Sequence, residues 1–199
     1  MADLESAVAI ANQYGISIRS IVFPRNQYNP EYKHLLLERG IICYRGNEQH
    51  SMYRVNIDNY NAPYKRIFRL IDSYVNLSGH HLISWQNIIE HSGLCNVPSS
   101  RFYRPPVKGL SLLNHYRQKR IIKSIYAAAK SKKIFHLWWH PHNFGSDSEA
   151  RLSELEEIFY HFKRCKKEYG MKSINMIETA QLGRSKWEHS KQTSFVKER

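Results

Sequence analysis

Residues 16–44 read ISIRSIVFPRNQYNPEYKHLLLERGIICY, and the fold turns on how they are parsed. Residues 16–23 alternate and are rich in β-branched side chains, the pattern of a strand set wholly or partly in a core; Pro24 ends it. After the polar turn at 25–29, Pro30 opens a helix carrying Leu35, Leu36 and Leu37, which Gly40 stops, and residues 41–44 form a second short strand. Upstream, Leu4, Ala7, Val8 and Ala11 fall at helical spacing until Gly15. Helix, strand, helix, strand is the rhythm of a parallel α/β sheet.

Residues 46–63 are polar, rich in Asn and Tyr, and read as a loop. A helix is expected over 64–76 with Ile67, Phe68, Ile71 and Val75 on its apolar side. Residues 77–100 are ambiguous, with a short apolar element around 82–89 and a turn-rich stretch after it. A basic helix spans about 111–131, and an apolar strand runs from Ile134 to Trp139 before Pro141. An amphipathic helix covers 147–169, capped by Asp147 or Ser148 and ended by Gly170, with Leu152, Leu155, Phe159 and Phe162 on one face. A last element is expected over 174–182. The chain thus reads as one domain over 1–182, followed by a basic tail over 183–199 that has no period and is expected to be disordered.

The 199 residues carry 30 Lys and Arg against 17 Asp and Glu, a formal net charge of +13. That surplus favours encounter with polyanions such as nucleic acid, anionic lipid or acidic glycan. Its clusters at 117–123, 130–133 and 163–167 lie on or beside expected helices, where a solvated basic face explains them. No nucleic-acid-binding signature is present, so no specific nucleic-acid partner is expected. Cys43, Cys95 and Cys165 are far apart, odd in number and without zinc spacing, and read as buried thiols. No apolar stretch is long enough to span a bilayer and Met1-Ala-Asp-Leu-Glu is not a secretory leader, so a cytoplasmic protein is expected.

Three segments can carry chemistry. The densest is 134–145, IFHLWWHPHNFG, where His136, His140 and His142 and Trp138 and Trp139 straddle the end of a strand, the place where parallel α/β folds set reactive groups. Imidazole suits proton transfer or metal ligation, and indole faces suit sugar rings or bases. Strand alternation puts His136, Trp138 and His140 on one face and Leu137 and Trp139 on the other, so one tryptophan belongs to the core. The second segment, FPRNQYN at 23–29, offers Arg25 to a carboxylate and turn amides to an oxyanion, with Asn26 and Gln27 beside them. The third, RFYRPP at 101–106, is stiff, basic and aromatic, and Arg104 can reach a glycan groove or anchor a loop.

FPRNQYN followed by a helix and RGIICYRGNE, then RFYRPP and IFHLWWHPHNFG, together resemble the C-terminal portion of the polysaccharide deacetylase, or NodB-homology, family. The similarity spans about 4–181; 44–100 contributes little to it. It implies a partial, distorted (β/α) barrel with the early strands missing, and hydrolysis of acetyl groups from the amino sugars of a glycan with a divalent metal, often zinc, in the complete enzyme. By resemblance His140 is the acid that protonates the leaving group, with His142 close enough to compete. Pro24 to Gln27 wall the groove and supply an oxyanion donor. Arg25 organises the acidic and oxyanion side, and Arg104, Trp138 and Trp139 meet sugar. The family's Asp-Asp and paired-histidine metal motifs should precede FPRNQ. The 22 residues before Phe23 hold no histidine and one aspartate, Asp3, so no metal ligand is assigned and none is expected to be bound by this chain. His80 and His81 lie in the wrong order for that motif. The expectation is a truncated chain, inactive alone, that binds an acetylated glycan; the alternatives are a genuine short product that pairs with a separate N-terminal half, and a silent glycan-binding or structural module.

Overall fold

The computed structural model describes residues 2–53, 62–107, 109–145 and 147–197; the side chains of Ala2, Arg25, Ser111 and 190–197 lie outside that description. The chain is mixed α/β, with its strands in two small parallel sheets. Where the sequence reads as one domain, the chain gathers into two compact units, Met1–Gly46 with Trp85–Pro98 and Ile174–Arg199, and Asn47–Ser84 with Ser99–Ser173.

The first unit carries α1 (Ala2–Gln13), β1 (Ser20–Ile21), α2 (His34–Glu38), β2 (Cys43–Tyr44), β3 (Cys95–Asn96) and α6 (Met176–Lys197). The strands lie in the order β1-β2-β3, all parallel, pairing Ser20 with Cys43 and Cys43 with Cys95. Successive side chains of a strand point to opposite faces, so Tyr44 joins Leu36, Ile41 and Leu94 in one core cluster, and Cys43 joins Cys95, Val97 and Ala180 in another. Both predicted helix stops hold. Gly15 and Gly40 have positive φ, and the amides of Ile16 and Ile41 reach back to the carbonyls of Ala11 and Leu36. The predicted helix from Pro30 divides into a 3-10 turn at Pro30–Tyr32 and the short α2, and only Ser20–Ile21 of the 16–23 run keep strand pairing.

The basic tail differs most from the expectation: α6 continues through it to Lys197. Two contacts that no periodicity announces hold it. Gly183 packs so closely on Ile88 that a Cβ there would lie 2.3 Å from Ile88 Cδ1, and Arg184 Nη2 donates to the Gly93 carbonyl at 2.8 Å.

The second unit carries α3 (Pro63–Asp72), β4 (Arg101–Phe102), α4 (Asn114–Ser131), β5 (Leu137–Trp138) and α5 (Ser148–Tyr169). β4 and β5 pair in parallel, Arg101 opposite Leu137 and Phe102 opposite Trp138. Their core is Tyr103 with Ile121, Ile122, Ile125 and Ala129 of α4 and Ile158 and Cys165 of α5; Phe135 and Leu137 pack against it. α5 ends at Gly170 as its sequence predicts, but its buried face is rotated from the expected one. Arg151, Ile158 and Cys165 are buried while Leu152 and Phe159 are exposed, because Arg151 and Glu154 are drawn inward by ion pairs and by Tyr103.

Candidate functional site

In the first unit the FPRNQ turn and the YRG segment meet. Pro24–Asn26 form a 3-10 turn in which the Asn26 and Gln27 amides donate to the Phe23 and Pro24 carbonyls at 2.9 and 3.0 Å. Asn26 has φ 55°, a left-handed conformation that asparagine tolerates better than most residues. Its Oδ1 accepts from Arg45 Nε at 3.3 Å and Nη2 at 2.9 Å, so a buried guanidinium fork fixes the turn. Gly46 follows because a Cβ there would lie 2.2 Å from Asn96 Oδ1. Beneath the turn Phe23, Tyr28 and Tyr44 form an aromatic cluster, with Lys33 Nζ 5.0 Å from both tyrosine ring centres. Tyr44 Oη and Lys33 Nζ both donate to Glu90 at 2.7 Å. Burial, and then the bond to Glu90, push the Tyr44 hydroxyl far above the usual phenol range. The Gln27 side chain is exposed, and the Arg25 side chain lies outside the described residues.

In the second unit the pairing of β4 with β5 brings RFYRPP to HLWWHPH. Phe102 lies against Trp138, ring centres 4.5 Å apart, and His140 sits edge-on to both, 5.9 Å from Phe102 and 5.2 Å from Trp138. His142 stacks on His140 at 5.0 Å with the ring planes 13° apart. Both imidazoles are exposed. Pro141 starts a short 3-10 turn whose buried Asn143 holds the His140 backbone from both sides: the Asn143 amide donates to the His140 carbonyl and the His140 amide to Asn143 Oδ1, each at 2.9 Å. The imidazole thus stands on fixed backbone at the end of a strand, with an aromatic wall beside it.

Successive side chains of β5 alternate, but, against the expectation, neither tryptophan belongs to the core: Trp138 is partly buried and Trp139 is exposed. Leu137 belongs to the core side, Trp138 to the Phe102 and His140 side, and Trp139 leans past the core onto Phe144 at 6.1 Å. His136 is held by its backbone, its amide donating to Ser100 Oγ at 3.0 Å and its carbonyl accepting from the Ser100 amide at 2.9 Å. Arg104 is partly buried and its carbonyl accepts from Arg117 Nη1. Arg117 also pairs with Glu154 at 2.6 Å, and Glu154 accepts from Tyr103 Oη at 2.6 Å. Burial and that bond push the Tyr103 hydroxyl up to about 12.

The same unit contains a buried charge network that reading the sequence missed. Asp72, fully buried, accepts from Arg101 Nη1 at 2.7 Å, Tyr53 Oη at 2.6 Å, Ser78 Oγ at 2.7 Å, and the Leu77 and Ser78 amides at 2.9 and 2.8 Å. Burial alone would raise its carboxyl; the bonds from Arg101, Tyr53 and Ser78 outweigh that and hold it well below the usual carboxylate range. Arg120 lies 3.7 Å away and is pulled down to about 10 by burial and by the neighbouring Arg101 charge. His81, at φ 51°, places Nε2 2.6 Å from Ser78 Oγ. Burial, and then Arg101, lower it to about 4. Arg101 opens β4, so this network anchors the strand that carries Phe102. Its outward signs were the His80-His81 pair and Arg101 at the head of RFYRPP; Asp72, near the end of the helix expected over 64–76, gave none.

Among the described residues no three of His, Cys, Asp and Glu gather as a metal-holding group, and the nearly parallel planes of His140 and His142 do not bring their lone pairs to one point. The described residues thus do not fit the divalent metal implied by the resemblance. Against family models, curated proteins and solved structures, the chain finds no match.

Proposed function

We propose that this chain is the C-terminal part of a polysaccharide deacetylase-like protein, a partial (β/α) barrel that acts on acetylated amino sugars of a surface glycan. The observation that carries the reading is His140, exposed at the end of β5, held by Asn143 and flanked by the Phe102 and Trp138 rings. The all-parallel strands and the Asn26–Arg45 clamp between two of the resembling segments support it further.

Acetyl hydrolysis adds water to the acetyl carbon, breaks the C–N or C–O bond and releases acetate. The departing amine or alkoxide needs a proton, which an imidazolium at His140 supplies. The aromatic wall takes an apolar sugar face. Activation of the water falls to groups that the resemblance places before Phe23, so the chain alone hydrolyses nothing at a useful rate.

The test is titration with N-acetylglucosamine oligosaccharides followed by tryptophan fluorescence. The expected result is binding without acetate release, about tenfold weaker or worse in Trp138→Ala, the loss that follows removal of a stacking ring. Absence of binding to any acetylated oligosaccharide overturns the reading. The exposed aromatic wall, which needs no metal to hold a sugar, also favours a silent glycan-binding module. Adding an N-terminal segment that carries the two metal motifs separates them: acetate release that His140→Ala abolishes supports the deacetylase, and glycan binding with no release in the assembled protein supports the module.

A further inference from the structure

Helix α3 is amphipathic in the reverse of the sense expected for a helix that covers a core. Its buried side carries Lys65 and the fully buried Asp72, with Phe68 stacked on His50 at 5.5 Å. The other side leaves Tyr64 56%, Ile67 58% and Ile71 46% exposed, and past the helix end Val75 is 54% and Leu77 50% exposed. Positions 64, 67, 71 and 75 are spaced three and four apart, so they form one continuous stripe. Apolar side chains exposed singly are ordinary, whereas a contiguous stripe on one helix marks an interaction surface.

Charge identifies the occupant. The second unit holds 20 of the chain's 30 Lys and Arg but only 9 of its 17 Asp and Glu. α3 itself contributes Lys65, Arg66 and Arg69, and its one acid, Asp72, is neutralised inside by Arg101 and Arg120. Arg66 is exposed beside the stripe, about 100° round the helix from Ile67. Two copies meeting through so basic a unit would repel each other, whereas an anionic lipid surface attracts it. α5 supplies the contrast. It also exposes Leu152, Phe159 and Tyr160, but there the exposed Glu149 and Glu156 are interleaved with the apolar residues, and Lys163 and Lys166 follow beyond them, so that face is mixed in charge, whereas the exposed side of α3 carries no acid.

We propose that α3 seats this unit on anionic lipid, with Tyr64, Ile67, Ile71 and Val75 entering the boundary between headgroups and acyl chains and Arg66 at the level of the phosphates. A helix lying in the interface plane binds by buried apolar area together with attraction of its cations to anionic headgroups, and α3 offers both on exposed residues.

The experiment is co-sedimentation of the full chain with vesicles of phosphatidylcholine containing about 30 mol % phosphatidylglycerol, and with phosphatidylcholine alone. Three variants are run beside it: Ile67→Asp with Ile71→Asp, the milder Ile67→Ser with Ile71→Ser, and Leu152→Asp with Phe159→Asp on α5. Circular dichroism and Tm select, of the two α3 pairs, the one that folds as wild type. The expected result is binding to the anionic vesicles that weakens about tenfold or more in the α3 variant and is unchanged in the α5 variant. Wild type remaining in the supernatant overturns the proposal, as does equal pelleting of wild type and the α3 variant, which would mean adsorption through another basic face. A wild-type dimer that the α3 variant dissolves, seen by light scattering without vesicle binding, also overturns it and assigns the stripe to a second copy.

Discussion

His81 lies where the aromatic rings and the buried charges of the second unit meet. Its ring meets Tyr53 edge-on at 5.1 Å and stacks on His50 at 6.3 Å, and its charged form is disfavoured by burial and by Arg101, Arg120 and His50 against one opposing charge, Asp72. The folded state therefore keeps His81 neutral down to about 4, while in the unfolded chain it takes up a proton near the ordinary histidine value of about 6.5. Between those values the unfolded state binds more protons, so the contribution to stability is complete above 6.5 and falls steadily as pH drops towards 4. Urea midpoints measured from pH 7.5 to 4.5 are expected to fall for wild type and to fall less steeply for His81→Asn, which keeps a side chain suited to positive φ. His80, lowered by burial and by Arg120, sustains part of the slope in the variant. A slope identical in both proteins would show that His81 is not the group concerned. At this scale the sequence shows residue types but not their partners. His140, His142 and Trp138 stood out because they cluster along the chain, whereas Asp72 meets Arg101 across 29 positions and Asn143 looked like any turn residue.

Elements were legible where local chemistry alone decides them. Gly15, Gly40 and Gly170 end helices through positive φ, and the β-branched runs lie in strands or beside them. Helix faces were less legible, because apolar periodicity assumes that the greasy side faces inward. In α3 and α5 charged side chains are buried in ion pairs and the faces turn accordingly, outward in α3 and by about a quarter turn in α5. The start of α6 agrees with the element expected over 174–182, but its continuation through the tail was not legible, since those residues are polar all round and are held by the Gly183 approach and the Arg184 bond. Gly183→Ala tests that approach: the added methyl must displace Ile88, which is fully buried, so the helix-propensity gain of alanine is outweighed. Denaturant unfolding should show a loss of about 1–3 kcal/mol, the usual cost of overpacking. A variant more stable than wild type would show that α6 does not pack there.

For the molecule as a whole, the three cysteines report on both units. All are buried; burial pushes the Cys43 thiol up to about 11 and raises Cys95 and Cys165 as well. At pH 8 the native chain should therefore react with no equivalents of a thiol-specific disulfide reagent over minutes, and with three after denaturation. Rapid reaction of one thiol in the native chain would contradict the packing around it. The division into two units was not legible, because each is assembled from segments distant in sequence and no linker composition marks a border. That interleaving also sets an order of events during synthesis. The second unit has its last residue at Ser173, whereas the core of the first, begun by β1 and β2, includes Met176, Ile177 and Ala180. β1 and β2, made before α3, α4 and α5, are thus enclosed after them. Cys43 and Val97 wait for α6 while the later-encoded helices α4 and α5 are already able to pack, so any delay in translation past residue 173 prolongs the exposure of an unfinished parallel sheet to whatever else is in solution.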